Sequence, residues 1–186
     1  MMTELSLNVL DIVENSTKAK ASLVFIGVEI DSAADSLIIR IDDDGCGMDS
    51  EKLARVTDPF FTTRTTRKVG LGVPFFKQSA EMTGGDFTIT SEPGVGTKIT
   101  ARYVLSSIDR MPLGDMTATI HQLILMHQDC DFLYRYSYDG KEFTLDTREL
   151  RVVLEGVPFD VPDVSAYIKD FLMENTAEVN EGRPAV

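Results

Sequence analysis

The chain has 186 residues, of which 43% are hydrophobic and 26% are charged, and its formal net charge at pH 7 is -12. This length supports one well-cored domain, or one domain with a substantial extension. The negative charge opposes nonspecific binding to nucleic acid or to anionic lipid. No apolar run approaches the ~20 residues that a membrane-spanning helix needs. The two cysteines, Cys46 and Cys130, have no metal-type spacing, which suits a reducing compartment. We therefore expect a cytoplasmic protein that binds neither nucleic acid nor membrane.

The first predicted element is a helix over residues 5–19. Its apolar residues recur at helical spacing and predict one buried face: Leu5, Val9, Ile12 and Val13. A second stripe along the same helix is polar and contains Asn8, Asp11, Asn15 and Lys18. On an ordinary surface helix such a stripe faces solvent. Alternatively, an amide and a carboxylate one turn apart can face a site and serve Mg²⁺ and a water. The helix alone leaves both interpretations open.

Two strands and a glycine cluster follow this helix. Residues 22–30 form an apolar run typical of a buried strand, and residues 37–43 alternate with Leu37, Ile39 and Ile41 on one face. The second strand leads into the cluster Asp44-Gly45-Cys46-Gly47. Glycine lets backbone approach a ligand closely. A buried carboxylate beside such a cluster could accept a hydrogen bond from an amine on a base.

A polar segment and a second glycine cluster come next. Asp49 is the predicted N-cap of a short helix that ends near residue 56. Residues 58–69 have no apolar period and supply local positive charge, from Arg64, Arg67 and Lys68, for a phosphate-bearing ligand. The cluster Gly70-Leu71-Gly72 then opens a helix, and a helix N-terminus can hold phosphate. These features predict a nucleotide pocket covered by a loop.

The rest of the chain divides near residue 106. Residues 86–92 and 97–104 predict a hairpin, after which the pattern changes. Beyond that point we expect helices over 115–127, 147–154 and 163–174, a hairpin around Asp139-Gly140, and a frayed tail from residue 175. We therefore divide the chain into residues 1–105 and an extension, residues 106–186. The extension is expected to be a smaller α+β unit packed against the first, or a docking surface.

The motifs of residues 3–105 form an ordered set that is more specific than any one of them. In chain order the set is the polar helix with Asn15, the Asp44 cluster, Phe60-Phe61, the Gly70 cluster, and Gly96-Thr97 on a strand. It resembles the ATP-binding domain of sensor histidine kinases. More broadly it is similar to the GHKL ATPase superfamily, shared with gyrase, heat-shock chaperone ATPases and MutL. The resemblance implies an α+β fold: a two-layer α/β sandwich with a mixed sheet, helices on one face, and ATP with Mg²⁺ on the helical side.

The same resemblance implies roles for individual residues. Asn15 would be the Mg²⁺ ligand, Lys18 would contact phosphate, and Asp44 would accept from the adenine amino group. Thr97 would reach Asp44 or the base through a water. The base slot would be shaped by Gly45, Gly47 and Met48. Residues 58–72 would be the ATP lid, and further nucleotide contacts would come from Phe60, Arg64, Arg67, Lys68, Gly70, Leu71, Gly72 and Val73.

Two departures from the family pattern bear on activity. Hydrolytic members carry Glu four residues before the Mg²⁺-binding Asn, where this chain has Asp11, which is one methylene shorter; Glu14 is an alternative base. The sequence also starts at the Asn15 helix, so we expect a stand-alone protein without the phospho-accepting helical hairpin. His121, on a predicted apolar helix, is expected to be structural rather than a phospho-acceptor.

Two function classes follow from the resemblance and stay open. One is an enzyme that hydrolyses ATP or passes its γ-phosphate to a Ser or His of an unidentified protein partner. The other is a non-hydrolysing regulatory module whose lid orders on ATP. In either case residues 106–186 are the expected docking unit for the partner. The oligomeric state is not predicted.

Overall fold

The protein is organised around one mixed sheet of six strands. The structure is a computed structural model that describes residues 3–56, 72–184 and 186. Its strands are β1 (Leu23–Asp31), β2 (Ser36–Asp43), β3 (Asp86–Glu92), β4 (Gly96–Val104), β5 (Asp131–Tyr138) and β6 (Lys141–Asp146). They lie in the order β3-β4-β2-β1-β5-β6. All neighbours are antiparallel except β1 and β5, which are parallel.

The helices cover one face of this sheet. They are α1 (Leu5–Lys18), α2 (Ser50–Arg55), α3 (Gly72–Met82), α4 (Met116–Met126), α5 (Thr147–Val153) and α6 (Pro162–Asn180). The inward side chains of β1 and β2 are buried: Val24, Ile26, Val28, Ile30, Leu37, Ile39 and Ile41. Glu29 and Arg40 on the opposite face are exposed. The predicted two-layer α/β sandwich is therefore confirmed. In the described part of the chain, no helix has the length and apolar character needed to cross a bilayer.

The extension contributes two strands to the same sheet. β5 runs parallel to β1, with Leu23 opposite Asp131 and Ile30 opposite Tyr138. A parallel neighbour requires a crossover connection, and the chain makes it through β2, α3, β3, β4 and α4. The predicted division near residue 105 coincides with the end of β4 at Val104. However, the extension is not a smaller unit packed against the first, because its strands are hydrogen-bonded into the sheet.

The extension also holds the beginning of α1. Leu5 N donates to Pro112 O at 3.0 Å, and Ser6 N donates to Leu113 O at 2.8 Å. The first N–H groups of a helix have no partner within the helix and need one elsewhere. No side chain caps this end of α1. Backbone carbonyls of the extension therefore take the place of a capping side chain.

The C-terminal segment is more ordered than the sequence predicts. A frayed tail was expected from residue 175, but α6 continues to Asn180. The Tyr136 hydroxyl donates to Asn180 Oδ1 at 2.8 Å, and Arg183 forms an ion pair with Asp139 at 3.7 Å. These contacts join the end of the chain to β5 and to the turn after it.

Truncation of Phe132 tests whether the extension and the first 105 residues unfold together. Phe132 lies on β5 and is 1% exposed, so we expect Phe132→Ala to cost about 3–5 kcal/mol of unfolding free energy. Because the sheet is continuous, the amides of β2 and β4 should lose hydrogen-exchange protection together with those of β5. Val153→Ala, at a side chain that is 77% exposed, should change stability by less than about 0.5 kcal/mol. Unchanged protection of β2 and β4 in Phe132→Ala would show that the two parts unfold independently.

Candidate functional site

A cavity of about 350 Å³ lies on the helical side of the sheet. It is bounded by α1, the start of α3, the C-terminal end of β2 and the beginning of β4. Its apolar walls include Ile12, Met48, Val73, Ile89 and Ile99, and its polar lining includes Asn15, Ser16, Lys18, Asp43, Lys52 and Thr97. This volume lies within the range of ~300–1,000 Å³ typical of small-molecule sites. An apolar slot with a few polar groups is suited to a flat, partly polar ligand such as a base.

Asp43 is the carboxylate that lines this cavity. Ser16 Oγ donates to Asp43 Oδ2 at 2.7 Å, and Gly45 N donates to Asp43 Oδ1 at 3.0 Å. Ser16 is 4% exposed, so its hydroxyl is held in position by packing. Thr97 lies directly opposite Asp43 in the β2–β4 ladder. Each carboxylate oxygen retains a lone pair beyond these bonds, so Asp43 can accept a hydrogen bond from a ligand.

Asp44, the predicted base-binding residue, does not line the cavity. Its carboxylate accepts from Ser22 N at 2.7 Å and Leu23 N at 2.9 Å, as well as from Ser22 Oγ. Successive strand side chains point to opposite faces. Because Ile41 points inward, Asp43 points to the helical side. Asp44 instead fixes the start of β1.

The environment of Asp44 favours its ionised form. Burial acts to raise its pKa, but the hydrogen bonds from Ser22 and Leu23 outweigh burial and hold the pKa of Asp44 below its ordinary value. A carboxylate that accepts several hydrogen bonds is stabilised as the anion. The residue therefore has a structural role in the strand junction.

The first glycine cluster forms one wall of the cavity by close backbone packing. Gly47 has φ of 65°, and a Cβ there would lie 1.9 Å from Glu92 O, so this position requires glycine. The neighbouring Met48 N donates to Ser91 Oγ at 2.8 Å. Ser91 Oγ lies 2.9 Å from Thr97 Oγ1. Ser91 therefore connects the cluster to the strand opposite Asp43.

The polar stripe of α1 faces the start of α3. A Cβ at Gly72 would lie 2.2 Å from Asp11 Oδ2 and 3.7 Å from Asn15 Nδ2. Asn15, Gly72 and Val73 all line the cavity. The side chains of Asp11 and Asn15 thus meet the N-terminus of a helix, which attracts anions. This geometry indicates that Asp11 and Asn15 face a binding site rather than bulk solvent.

Glu14, the alternative base, points toward the extension. His127 Nε2 lies 2.6 Å from Glu14 Oε1, and Lys18 Nζ lies 3.4 Å from Glu14 Oε2. Burial acts to raise the pKa of Glu14, but contacts with His127 and Lys18 lower it overall. His121 Nε2 lies 3.0 Å from both Ser165 O and Ser165 Oγ. As predicted, His121 is a partly buried residue, and it joins α4 to α6.

The predicted site residues other than Asp44 fall into three groups. The cavity is lined by Asn15, Lys18, Gly47, Met48, Gly72, Val73 and Thr97. Asp11 and Gly45 lie beside it, in contact distance of Gly72 and Asp43 respectively. Phe60, Arg64, Arg67, Lys68, Gly70 and Leu71, and with them most of the predicted lid, lie outside the described residues.

Sequence reasoning missed three polar residues of the cavity: Ser16, Asp43 and Lys52. A signal for Asp43 was present, because it continues the inward alternation of Leu37, Ile39 and Ile41. Ser16 gave no such signal, since it belongs to the apolar face of its helix.

Comparison with known proteins agrees with this fold and this site. The family model described as "Histidine kinase-, DNA gyrase B-, and HSP90-like ATPase" matches residues 2–107. This range covers α1 to β4 and therefore includes every residue of the cavity. The chain belongs to this family of ATPase domains.

Similar curated proteins are described as sensor proteins or sensor kinases. Sensor protein kinase FleS of Pseudomonas aeruginosa is 40% identical over 105 residues, which are 56% of this chain and 25% of FleS. A putative sensor protein of Shewanella frigidimarina is 34% identical over 51% of this chain and 14% of that protein. Sensor histidine kinase RcsC of Escherichia coli is 33% identical over 43% of this chain and 9% of RcsC. The chain thus spans a quarter or less of the length of these relatives.

Solved structures share the fold at low sequence identity. The ATPase domain of MutL from Aquifex aeolicus, complexed with ADP, matches with a TM-score of 0.53 and 13% identity, over 100% of both chains. The N-terminal domain of a DNA repair protein matches with a TM-score of 0.57 and 15% identity, over 78% of this chain and 53% of that one. The mixed sheet with helices on one face is therefore the fold of the GHKL ATPases.

The role of Asp44 predicts a pH-dependent stability difference. Since the folded state lowers its pKa, ionised Asp44 stabilises the fold above its unfolded pKa, and this contribution is lost as pH falls through the folded pKa. At pH 7 we expect Asp44→Asn to lower the unfolding free energy by about 1 kcal/mol, because the site is exposed and the bonds to a charged acceptor are lost. Urea unfolding should show the difference shrinking from about pH 5 to about pH 3. A constant difference across this range would contradict the assignment.

Proposed function

We propose that this protein binds ATP with Mg²⁺ in the cavity and acts as an ATPase or protein kinase on a partner protein in signalling or regulation. The observation that carries the proposal is the carboxylate of Asp43, which lines an apolar slot and is held there by Ser16 of α1. Membership of an ATPase family supports nucleotide binding. The sensor kinases among the relatives support a regulatory role.

The cavity fits adenine better than guanine. Asp43 offers only acceptor atoms when ionised, and the adenine amino group is a donor. Guanine would present a carbonyl oxygen at the corresponding position and would repel the carboxylate. The apolar walls, from Ile12, Ile89 and Ile99 among others, suit the faces of a planar ring.

The α1–α3 corner fits the phosphates and a metal ion. Asn15 has a hard amide oxygen suited to Mg²⁺. Within the described residues no three His, Cys, Asp or Glu side chains form a metal-binding group. Bound Mg²⁺, which neutralises phosphate charge, would share its ligands between Asn15 and the nucleotide, as this ion commonly does. Lys18, Lys52 and the N-terminus of α3 supply positive charge, and the basic residues of 58–71 would add to it.

Asp11 is the residue we assign to activation of the attacking group. Its carboxylate lies against the start of α3, one helical turn from Asn15, where it could orient a water or a hydroxyl group of a partner. Its side chain is shorter than the Glu of hydrolytic relatives, and a displacement of this size can slow a reaction substantially. The shorter side chain of Asp11 is the observation that favours the second candidate function, a non-hydrolysing nucleotide-gated regulatory module.

Substitution of the two adjacent acids tests the base site. Asp43→Ala leaves the adenine amino group unpaired in an apolar slot, which costs about 1–3 kcal/mol or more of binding free energy. We therefore expect at least about a fivefold loss of ATP and adenosine affinity by calorimetry. Asp44→Ala is the matched control and should bind ATP like the wild type, although it is less stable. Loss of ATP binding in Asp44→Ala but not in Asp43→Ala would show that Asp44, rather than Asp43, binds the base.

Phosphate release from Asp11→Asn separates the two candidate functions. If Asp11 orients the attacking water, the variant should release phosphate at least about 100-fold more slowly while its ATP affinity stays within a few fold of the wild type. Asp49→Asn, at the N-cap of α2, is a control substitution away from the α1–α3 corner. Wild-type protein that binds ATP but releases no phosphate and phosphorylates no partner would support the regulatory module.

A further inference from the structure

Lys18 has a competing partner on its own helix. It is the last residue of α1 and lines the cavity, where it is placed to contact phosphate. Its ammonium group is also 3.4 Å from Glu14 Oε2, one turn earlier. The Lys18 side chain is 60% exposed, whereas the Glu14 side chain is 24% exposed. The carboxylate is therefore the better-fixed member of this pair, and Lys18 can turn either to Glu14 or to a ligand.

The other carboxylate oxygen of Glu14 contacts a residue of the extension. His127 is the C-cap residue of α4, and its Nε2 lies 2.6 Å from Glu14 Oε1. Its side chain is 22% exposed, so the contact is sheltered from solvent more than the contact with Lys18. His127 lies beyond the segment 2–107 that the family model matches. The contact is thus made by the part of the chain that the family does not account for.

We propose that His127, by holding Glu14, determines how much of the charge of Lys18 is available to the phosphates of a nucleotide. The inference rests on the proposed function, because it assumes that phosphates occupy the cavity next to Lys18. Glu14 and His127 are positioning residues in this scheme, and neither contacts the nucleotide. The extension thereby contributes to phosphate recognition at a site built by the first 105 residues.

The two positioning residues should act in opposite directions. Without the Glu14 carboxylate, Lys18 loses its competitor and its charge is fully available, so phosphate binding strengthens. Without His127, both oxygens of Glu14 are free to pair with Lys18, so phosphate binding weakens. The low pKa of Glu14 supports its being ionised in this contact. Because His127 acts only through Glu14, its removal should have no effect once the carboxylate is gone.

The experiment measures ATP and adenosine affinities, by calorimetry at fixed Mg²⁺ and low salt, for the full chain. The variants are Glu14→Gln, His127→Ala and the double variant, and the ratio of the two affinities isolates the phosphate contribution from general effects on the fold. We expect this ratio to rise about two- to fivefold in Glu14→Gln and to fall by a similar factor in His127→Ala, the size typical of a partly exposed pair. The double variant should match Glu14→Gln, and all differences should shrink at high salt.

His121→Ala is the matched control. His121 is the other histidine of the chain, is also hydrogen-bonded through Nε2, and contacts Ser165 of α6 rather than α1. Its removal should lower stability and leave the affinity ratio unchanged. The same change of ratio in His121→Ala as in His127→Ala would overturn the proposal, as would a further fall of the ratio when His127→Ala is added to Glu14→Gln.

Failure of the inference is distinguishable from failure of the proposed function. Wild-type protein that binds ATP more tightly than adenosine, with ratios unchanged in all variants, would overturn the role of His127 and Glu14 alone. Wild-type protein that does not bind ATP would overturn the proposed function and this inference with it.

Discussion

The hydrogen bond from Ser16 to Asp43 joins the helical layer to the sheet at the point where the cavity forms. Ser16 belongs to α1 and Asp43 to the end of β2, and their side-chain oxygens are 2.7 Å apart. A carboxylate in an apolar slot needs such donors to pair its oxygens and to hold it in place. With Asp43 held in this way, the alternation of β2, the packing of α1 and the glycine turn after β2 together place a fixed carboxylate beside the apolar walls of the cavity.

The position of α1 depends in turn on the extension. Residues 112 and 113 satisfy the first N–H groups of the helix, His127 contacts Glu14 near its end, and β5 pairs with β1 on the far side of the sheet from β4. Here the extension both completes the sheet and fixes the helix that carries Asp11, Asn15 and Lys18. The position of these site residues therefore depends on contacts that the extension makes.

Much of the site was predictable because its motifs are local. The glycine cluster after β2, the Asp49 N-cap and the helix that begins after the second cluster follow from residues close in sequence, and the structure confirms the N-cap and the helix. The choice between Asp43 and Asp44 also followed from local information, since alternation along β2 places Asp43 inward, but proximity to the glycines favoured its neighbour. The partner of Glu14 lies 113 residues away, and no local pattern indicates it.

The sequence by itself determined the family, the order of the elements and the polar stripe of α1, because periodicity and turn chemistry act over a few residues. Only the tertiary structure decided which face of α1 meets α3 and whether the extension forms a separate unit. Each of these depends on contacts between distant segments, above all the parallel pairing of β5 with β1. Inward-facing residues of β1, such as Ile26 and Val28, are almost fully buried. A buried central strand is apolar whichever strand pairs with it, so the sequence of β1 does not indicate that β5 is its neighbour.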